Sequence, residues 1–158
     1  MTENKKAREA DAKLLPLKAI SIQQPWAGLI VGNIKDIENR TWSLHHPPGR
    51  LAIHAGKTYD IDADPEVRDI LTRHYGWSHE SVDKLLDWCR GTTGAIVGYC
   101  QFDLIAPPDT TTHDKIRKRS RWANQGMQLW CASHPFYLKK PIPCRGALQL
   151  FNWRKNLI

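Results

Sequence analysis

Short apolar segments, separated by glycine, proline and polar turns, predict a series of strands with a few inserted helices. The first strand is predicted over residues 17–22, and the proline that follows it favours the first turn of a short helix. Trp26, Leu29 and Ile30 fall on one face of that helix. We expect the helix to end at Gly32, in a left-handed C-terminal cap.

Residues 36–42 alternate in a way that predicts a second strand. A period of two places Glu38, Arg40 and Trp42 on one face of this strand and an isoleucine on the other. Lys35 directly precedes it. The segment therefore brings an ammonium, a carboxylate, a guanidinium and an indole to one short stretch of chain.

The middle of the chain predicts a strand over residues 50–56 and then two helices. Asp64 provides an N-cap for the first of these helices, the proline after it fits the first turn, and Gly76 closes the segment. The second helix is expected to follow a Ser78 cap and to end at Gly91, with an apolar stripe along one face.

The C-terminal half returns to strands. Residues 94–105 have the glycine, β-branched and aromatic content of a long buried strand, in which Gly98 marks a bulge or bend. Residues 106–113 are expected to form a loop. Pro141 and Pro143 are confined to an edge or a connection, and the closing strands are predicted in the segments QLWCA, FYL and GALQLFNW.

Length and composition fit one domain. The 158 residues support a single core, which we expect over residues 16–158 after a flexible charged tail at residues 1–15. No apolar run approaches the roughly 18 residues that span a bilayer, and no export signal is visible, so a cytoplasmic protein without membrane contact is expected. The spacing of the four cysteines matches neither a metal site nor a redox motif. The spacing of Glu38, His54 and Asp103 does not support a metal site either. We expect no cofactor and no metal.

Charge changes this picture by favouring a polyanionic partner. Lysine and arginine outnumber the acidic residues 23 to 16, which gives a net charge of +7 and an isoelectric point near 9.4. Five of these cations lie within seven residues, where they form either a solvated surface or a set of phosphate contacts: Lys115, Arg117, Lys118, Arg119 and Arg121.

The series Gly32, Lys35, Glu38, Arg40 resembles the motif of the ASCH domain, the activating signal cointegrator homology family of the PUA-like superfamily. The resemblance extends over residues 17–154 through the segments SIQQPWAGLIVGNIKDIENRTW, GRLAIHAG, GAIVGYCQF and RGALQLFNW. It implies an α+β fold, a PUA-like mixed β-barrel with flanking α-helices, and a cleft in which the lysine, glutamate and arginine gather.

The same resemblance implies a function in RNA binding or RNA metabolism. Some small bacterial members of the family remove the acyl group from N4-acetylcytidine, and at least one member is described as a ribonuclease. The acyl hydrolases carry a threonine three residues after the lysine, where this chain has Glu38. The resemblance therefore supports the ASCH fold for this chain more directly than it supports the mechanism of the acyl hydrolases.

Lys35, Glu38 and Arg40 are the candidate catalytic residues. A buried Lys35 would have a lowered pKa and could act as a general base, whereas an exposed one would contact phosphate. Glu38 could accept a hydrogen bond from a base amine or position a water, while Arg40 holds a phosphate or carbonyl oxygen. Alternatively, Glu38 and Arg40 form an ion pair with a purely structural role.

Five further side chains are candidates for ligand binding: Gln24, Trp26, Trp42, His54 and Trp130. The indoles could stack on a base, although core packing is expected for at least two of them. Gln24 could read a base edge or cap the first helix, and His54 could bond a ligand or serve a structural role. The leading hypothesis is an RNA- or nucleotide-binding protein with a cationic cleft; the alternatives are a hydrolase of acylated nucleosides, a ribonuclease and a non-catalytic adaptor.

Overall fold

A computed structural model of the protein describes residues 13–158. Its elements follow in this order: β1 (Lys18–Gln24), α1 (Trp26–Val31), β2 (Ile37–Arg40), β3 (Gly49–Tyr59), α2 (Ala63–Arg73), α3 (His79–Gly91), β4 (Ala95–Ala106), α4 (Thr111–Arg119), β5 (Gln128–Pro143), β6 (Leu150–Asn152) and a 3-10 turn (Trp153–Asn156). The α+β class is confirmed. Most of the predicted N-terminal tail lies outside the described residues, although Leu15 is buried against the core.

The strands form one sheet in the order β2-β5-β4-β3-β1-β6. β1 and β3 run parallel, and the other neighbours are antiparallel. The end strands β2 and β6 have four and three residues and pair with β5 and β1, not with each other. The sheet is therefore open, and the expected closed barrel is not confirmed.

α1 lies between the sheet and the helical layer and packs against both. Its Ala27 and Ile30 join a core cluster with residues of β1, β3 and β4, whereas Leu29 joins a second cluster with Val67 of α2 and Leu86 of α3. An apolar surface on more than one side is typical of a buried helix. This position fixes where α1 begins and where the chain leaves it toward Lys35.

The predicted left-handed cap at Gly32 is wrong by one residue. Gly32 has φ −79°, and Asn33 adopts the left-handed conformation with φ 59°. Asparagine tolerates this region better than most residues. The chain then turns back, because the amides of Ile34 and Lys35 both donate to the Leu29 carbonyl, at 2.9 and 3.0 Å.

The helices that follow agree with their predictions in part. Ser78 caps α3 as expected, with its Oγ accepting from the Ser81 amide at 3.1 Å. The predicted N-cap at Asp64 is wrong, because Asp62 occupies the N-cap position of α2, without a side-chain capping hydrogen bond, and Asp64 lies inside the helix. The Asp64 carboxylate instead accepts from the Tyr59 hydroxyl at 2.5 Å and pairs with Arg90.

The loop predicted at residues 106–113 is shorter than expected, because α4 begins at Thr111. The Thr110 hydroxyl oxygen accepts from the His113 amide at 3.2 Å and caps this helix. The closing strands are also fewer than predicted. QLWCA and FYL belong to the single strand β5, whose Pro141 and Pro143 lie where β5 has only β4 as a neighbour. The edge position predicted for these prolines is confirmed.

The bulge predicted at Gly98 is confirmed. The pairing of β4 shifts register beside this residue against both β3 and β5. A Cβ at Gly98 would lie 2.0 Å from the Phe136 carbonyl oxygen, so only glycine lets the two backbones approach this closely. Among the described residues, no helix is long and apolar enough to cross a membrane.

Candidate functional site

A cleft of about 340 Å³ opens between the start of α1, strand β2 and the segment that follows α4. The sequence-predicted residues Trp26, Lys35 and Glu38 line it. Six further residues, not predicted from the sequence, complete the lining: Asn39, Asp60, Glu66, Trp122, Asn124 and Met127. The site is thus assembled from parts of the chain that lie about 100 residues apart.

Lys35 lines this cleft and is buried, with 5% of its surface exposed. Its ammonium donates to the Ile37 carbonyl, lies 3.5 Å from Glu38 Oε2, and sits 5.5 Å from the centre of the Trp26 ring. Burial lowers the pKa of Lys35, because desolvation destabilises its charged form, while the Glu38 carboxylate opposes this shift. Of the two alternatives that the sequence left open for Lys35, the structure has the buried one.

Glu38 joins Lys35 to Arg40. One carboxylate oxygen faces the Lys35 ammonium, and the other lies 3.0 Å from Arg40 Nε. Glu38 is 7% exposed, so its carboxylate is poorly solvated and needs its cationic partners. The predicted ion pair is therefore part of a three-residue series of charges.

Arg40 does not line the same cleft. Its guanidinium donates to the Ser21 carbonyl at 2.6 Å and lies 5.9 Å from the Trp42 ring centre. Together with Trp42, Lys57 and Gln149 it lines a second cleft of about 770 Å³. The structure thus brings the three predicted catalytic residues together as an ion-paired series, with Lys35 and Arg40 on different clefts.

The aromatic walls of the first cleft are formed by Trp26 and Trp122. Trp26 is half-buried, donates from its indole to Asp60 Oδ2 at 3.1 Å, and meets the Trp122 ring edge-on at 6.4 Å between centroids. Trp122 is 2% exposed and stacks on Tyr75. Trp26 therefore has the accessible ring of the two.

The lining of the first cleft is not cationic. Lys35 is its only cation among the residues that the structure describes there, against the carboxylates of Glu38, Asp60 and Glu66. Two side-chain amides, Asn39 and Asn124, add neutral donors and acceptors. The cleft therefore suits a ligand with hydrogen-bond donors better than one with a phosphate at this position.

The remaining predicted ligand-binding residues have structural contacts. Gln24 is fully buried, accepts from the Gly28 amide at 2.9 Å and donates to the Thr92 carbonyl at 2.8 Å. His54 Nε2–H donates to the Cys144 carbonyl at 2.8 Å, which leaves Nδ1 to accept from the Ser21 hydroxyl at 2.9 Å. Trp130 is fully buried in the core.

Trp42 also lies away from the first cleft. It packs edge-on against Trp130, with 4.9 Å between ring centroids, and lines the cleft that contains Arg40. Trp122 is the wall residue that sequence reasoning missed. The signal available for it was its place directly after the basic run, in RKRSRW.

The lowered pKa of Lys35 predicts a pH-dependent stability. Between that pKa and the ordinary value of 10.5, the unfolded chain binds more protons at this position than the folded chain. Lys35 therefore makes the free energy of unfolding rise with pH in this window. We expect the difference in unfolding free energy, wild type minus Lys35→Met, to rise with pH when it is measured by urea unfolding.

The exposed Lys18→Met variant provides the control for this measurement. Its difference from wild type should stay flat over the same pH range. An equally flat difference for Lys35→Met would show that the ammonium is not desolvated in solution.

The fold matches a solved structure. The crystal structure of a tyrosine-to-phenylalanine mutant of ZmASCH from Zymomonas mobilis superposes with a TM-score of 0.50 and 14% sequence identity, over 87% of this chain and 90% of that chain. The chain has the fold of an ASCH-domain protein. The resemblance seen in the sequence is thus confirmed at the level of the ASCH fold.

A serine-to-alanine mutant of ZmASCH, also from Zymomonas mobilis, matches with 14% identity over 87% of this chain and 88% of that chain, at a TM-score of 0.49. No protein-family model matches the chain. Within the ASCH fold of this chain, the motif residues Lys35, Glu38 and Arg40 lie on and just before β2, next to α1.

Proposed function

We propose that the protein binds RNA or a nucleoside by holding a nucleobase in the first cleft. The observation that carries this proposal is the half-buried Trp26 ring beside the buried Lys35–Glu38 pair, in a cleft of about 340 Å³. This volume lies within the range of about 300–1,000 Å³ that is usual for small-molecule sites. The likeness of the Gly32, Lys35, Glu38, Arg40 series to the ASCH motif, and the ASCH fold, support it.

The polar groups of the cleft favour a base with an exocyclic amine. Carboxylates accept from the N4 amine of cytosine or the N6 amine of adenine, and Asp60 and Glu66 both face the cleft. Uracil presents a carbonyl oxygen at the corresponding position, which these carboxylates repel. We therefore expect cytidine and adenosine to bind more tightly than uridine.

Trp26→Ala tests the base-stacking role. Loss of one base–aromatic stack costs about 1–3 kcal/mol, so the affinity for cytidine should fall about 5- to 150-fold in isothermal titration calorimetry. The matched control is Trp42→Ala, which removes a half-buried indole from the other cleft. Equal losses in the two variants, or no loss in Trp26→Ala, would place the base elsewhere.

A second candidate function is hydrolysis of an acylated nucleoside, and the buried Lys35 favours it. An amine and a carboxylate lie 3.5 Å apart in the lining of the cleft, and burial lowers the pKa of the amine. Lys35, whose lowered pKa favours the neutral amine, would take a proton from the attacking water that Glu38 orients, and would return it to the departing N4 amine as the C–N bond of the amide breaks. Arg40 would act through Glu38, because it faces the other cleft.

Incubation with N4-acetylcytidine separates binding from hydrolysis. Release of acetate by the wild type and its loss in Lys35→Ala would support the hydrolase. Binding without turnover, or turnover that Lys35→Ala leaves unchanged, would exclude this site as a hydrolase. Cleavage of RNA in a parallel assay, with and without added magnesium, would support the ribonuclease alternative instead.

A further inference from the structure

The basic run predicted from the sequence forms a distinct surface beside the cleft. Arg117, Lys118 and Arg119 occupy the last turn of α4, and Arg121 follows it; all four are exposed. We call these four residues the α4 surface. They line a concavity of about 480 Å³, whose opposite side is formed by Asp69, Ile70 and His74 at the end of α2.

The charge of this surface exceeds what helix stability requires. A helix C-terminus carries about half an elementary negative charge, which one cation in the last turn offsets. The α4 surface supplies four cations, and the one carboxylate in the concavity, Asp69, is already paired with Arg73 at 2.8 Å. The concavity therefore has a surplus of positive charge that faces solvent.

A five-residue segment separates this concavity from the base-binding cleft. Ser120, Arg121 and Ala123 face the concavity, whereas Trp122 and Asn124 face the cleft. Within the segment, the Trp122 carbonyl accepts from Asn39 Nδ2 at 2.8 Å, and the Asn124 amide donates to Asn39 Oδ1 at 2.8 Å.

The other end of the segment is fixed as well. The Ser120 hydroxyl donates to Asp36 Oδ1 at 2.5 Å, and the Ser120 amide donates to the Ile116 carbonyl at 2.9 Å. The segment that separates the cleft from the concavity is thus hydrogen-bonded at one end to Asp36, directly before β2, and at the other end to Asn39 of β2. A ligand that reaches over it meets two surfaces in a fixed relation.

The two sides of this segment have opposite charge. The cleft holds three carboxylates against one lysine, and the concavity holds four cations against one paired carboxylate. A nucleotide has the same division, since its base is neutral with amine donors and its phosphate is anionic. The surface charges therefore match a ligand that places its base in the cleft and its backbone outside.

We propose that the preferred ligand is single-stranded RNA, with one base in the cleft and the adjoining phosphates on the α4 surface. This inference rests on the proposed function of the cleft and extends it to the substrate class. A single strand fits because an unpaired base can turn into a cleft while its backbone stays on the surface. In a duplex, the base edge is paired and stacked, and entry would require unpairing.

The test compares a cytidine octaribonucleotide, cytidine and an octamer RNA duplex, by fluorescence titration at several salt concentrations. The wild type should bind the octaribonucleotide at least tenfold more tightly than either other ligand. The variant Arg117→Gln/Arg121→Gln should lower octaribonucleotide affinity about tenfold and leave cytidine affinity unchanged. The slope of log affinity against log salt concentration should be less steep by about 1.4, because each phosphate contact on a single strand contributes about 0.7.

The matched control is Lys18→Gln/Lys139→Gln, which removes two exposed cations from β1 and β5. It should not change octaribonucleotide affinity by more than about twofold, because its charges lie outside the α4 surface. Equal losses in the two double variants would show a general charge effect and overturn the inference. Equal affinities of wild type for cytidine and the octaribonucleotide would also overturn it.

Trp26→Ala distinguishes failure of this inference from failure of the base site. If that variant binds cytidine and the octaribonucleotide like wild type, while the α4 variant loses the octaribonucleotide, the base site is wrong and the phosphate surface stands. If Trp26→Ala loses both ligands and the α4 variant loses neither, the base site stands and the phosphate surface is wrong.

Discussion

Replacing Glu38 by alanine is expected to lower the free energy of unfolding by about 3 to 5 kcal/mol, the usual cost of leaving a buried charge without its partner. Glu38 contacts Lys35 through one oxygen and Arg40 through the other, and Lys35 is 5% exposed. The remaining lysine must then lose its proton or be hydrated at the expense of packing. Urea unfolding monitored by tryptophan fluorescence measures this effect.

Glu80→Ala is the control for this variant. It breaks the ion pair with Lys84, in which both side chains are more than three-quarters exposed, so it should cost less than about 1 kcal/mol. The double variant Lys35→Met/Glu38→Ala should recover part of the loss, because it removes the stranded ammonium. A Glu38→Ala variant as stable as Glu80→Ala would contradict the buried series of charges.

Gly98→Ala is expected to destabilise the protein by about 3 kcal/mol or more, beyond the usual cost of overpacking. The new Cβ would lie 2.0 Å from the Phe136 carbonyl oxygen and 2.9 Å from Val31 Cγ1. Backbone oxygen cannot rotate away as a flexible side chain can, so β4 and β5 must separate. Thermal unfolding of the purified variant measures the loss.

Gly91→Ala is the matched substitution for comparison. Apart from its chain neighbours and the backbone of its own helix, no heavy atom lies within 4 Å of the position where its Cβ would stand, and Gly91 is the last residue of α3. The change should be within about 1 kcal/mol of neutral, and any gain would come from restricting the unfolded chain. Comparable stability of Gly98→Ala and Gly91→Ala would show that β4 and β5 are not in close contact at Gly98.

The elements that rest on local signals were predictable from the sequence. The Ser78 cap fixes the start of α3, and Gly98 marks the bulge of β4, because both depend on backbone geometry at one residue. The openness of the sheet was not predictable in this way. It depends on whether the short strands β2 and β6 meet, which is a long-range property.

The location of the site was predictable only for the residues that are close together in the sequence. Lys35 and Glu38 are neighbours in sequence and line one cleft, as the motif suggested. Arg40 follows two residues later, yet its long side chain turns toward Ser21 and the other cleft. Trp122, Asp60 and Glu66 reach the first cleft only through folding, so local pattern gave no reason to select them or to expect an acidic lining.

The division of charge between cleft and α4 surface gives a single account of the basic composition. The net charge of +7 suggested a cationic cleft, but the cleft that holds Lys35 and Glu38 has more carboxylates than cations. A cluster of the surplus cations lies next to it, on the α4 surface. If both proposals hold, the α4 surface attracts the RNA backbone and the cleft selects the base.

The most direct test of the base site is a titration of the ¹⁵N-labelled protein with cytidine, followed through the indole N–H signals of its seven tryptophans. The base site predicts that the signals of Trp26 and Trp122 shift with ligand concentration, while that of Trp42 stays in place. Substitution to phenylalanine assigns each signal. Movement of the Trp42 signal with Trp26 and Trp122 unchanged would contradict the account, because the ligand would then occupy the cleft beside Arg40.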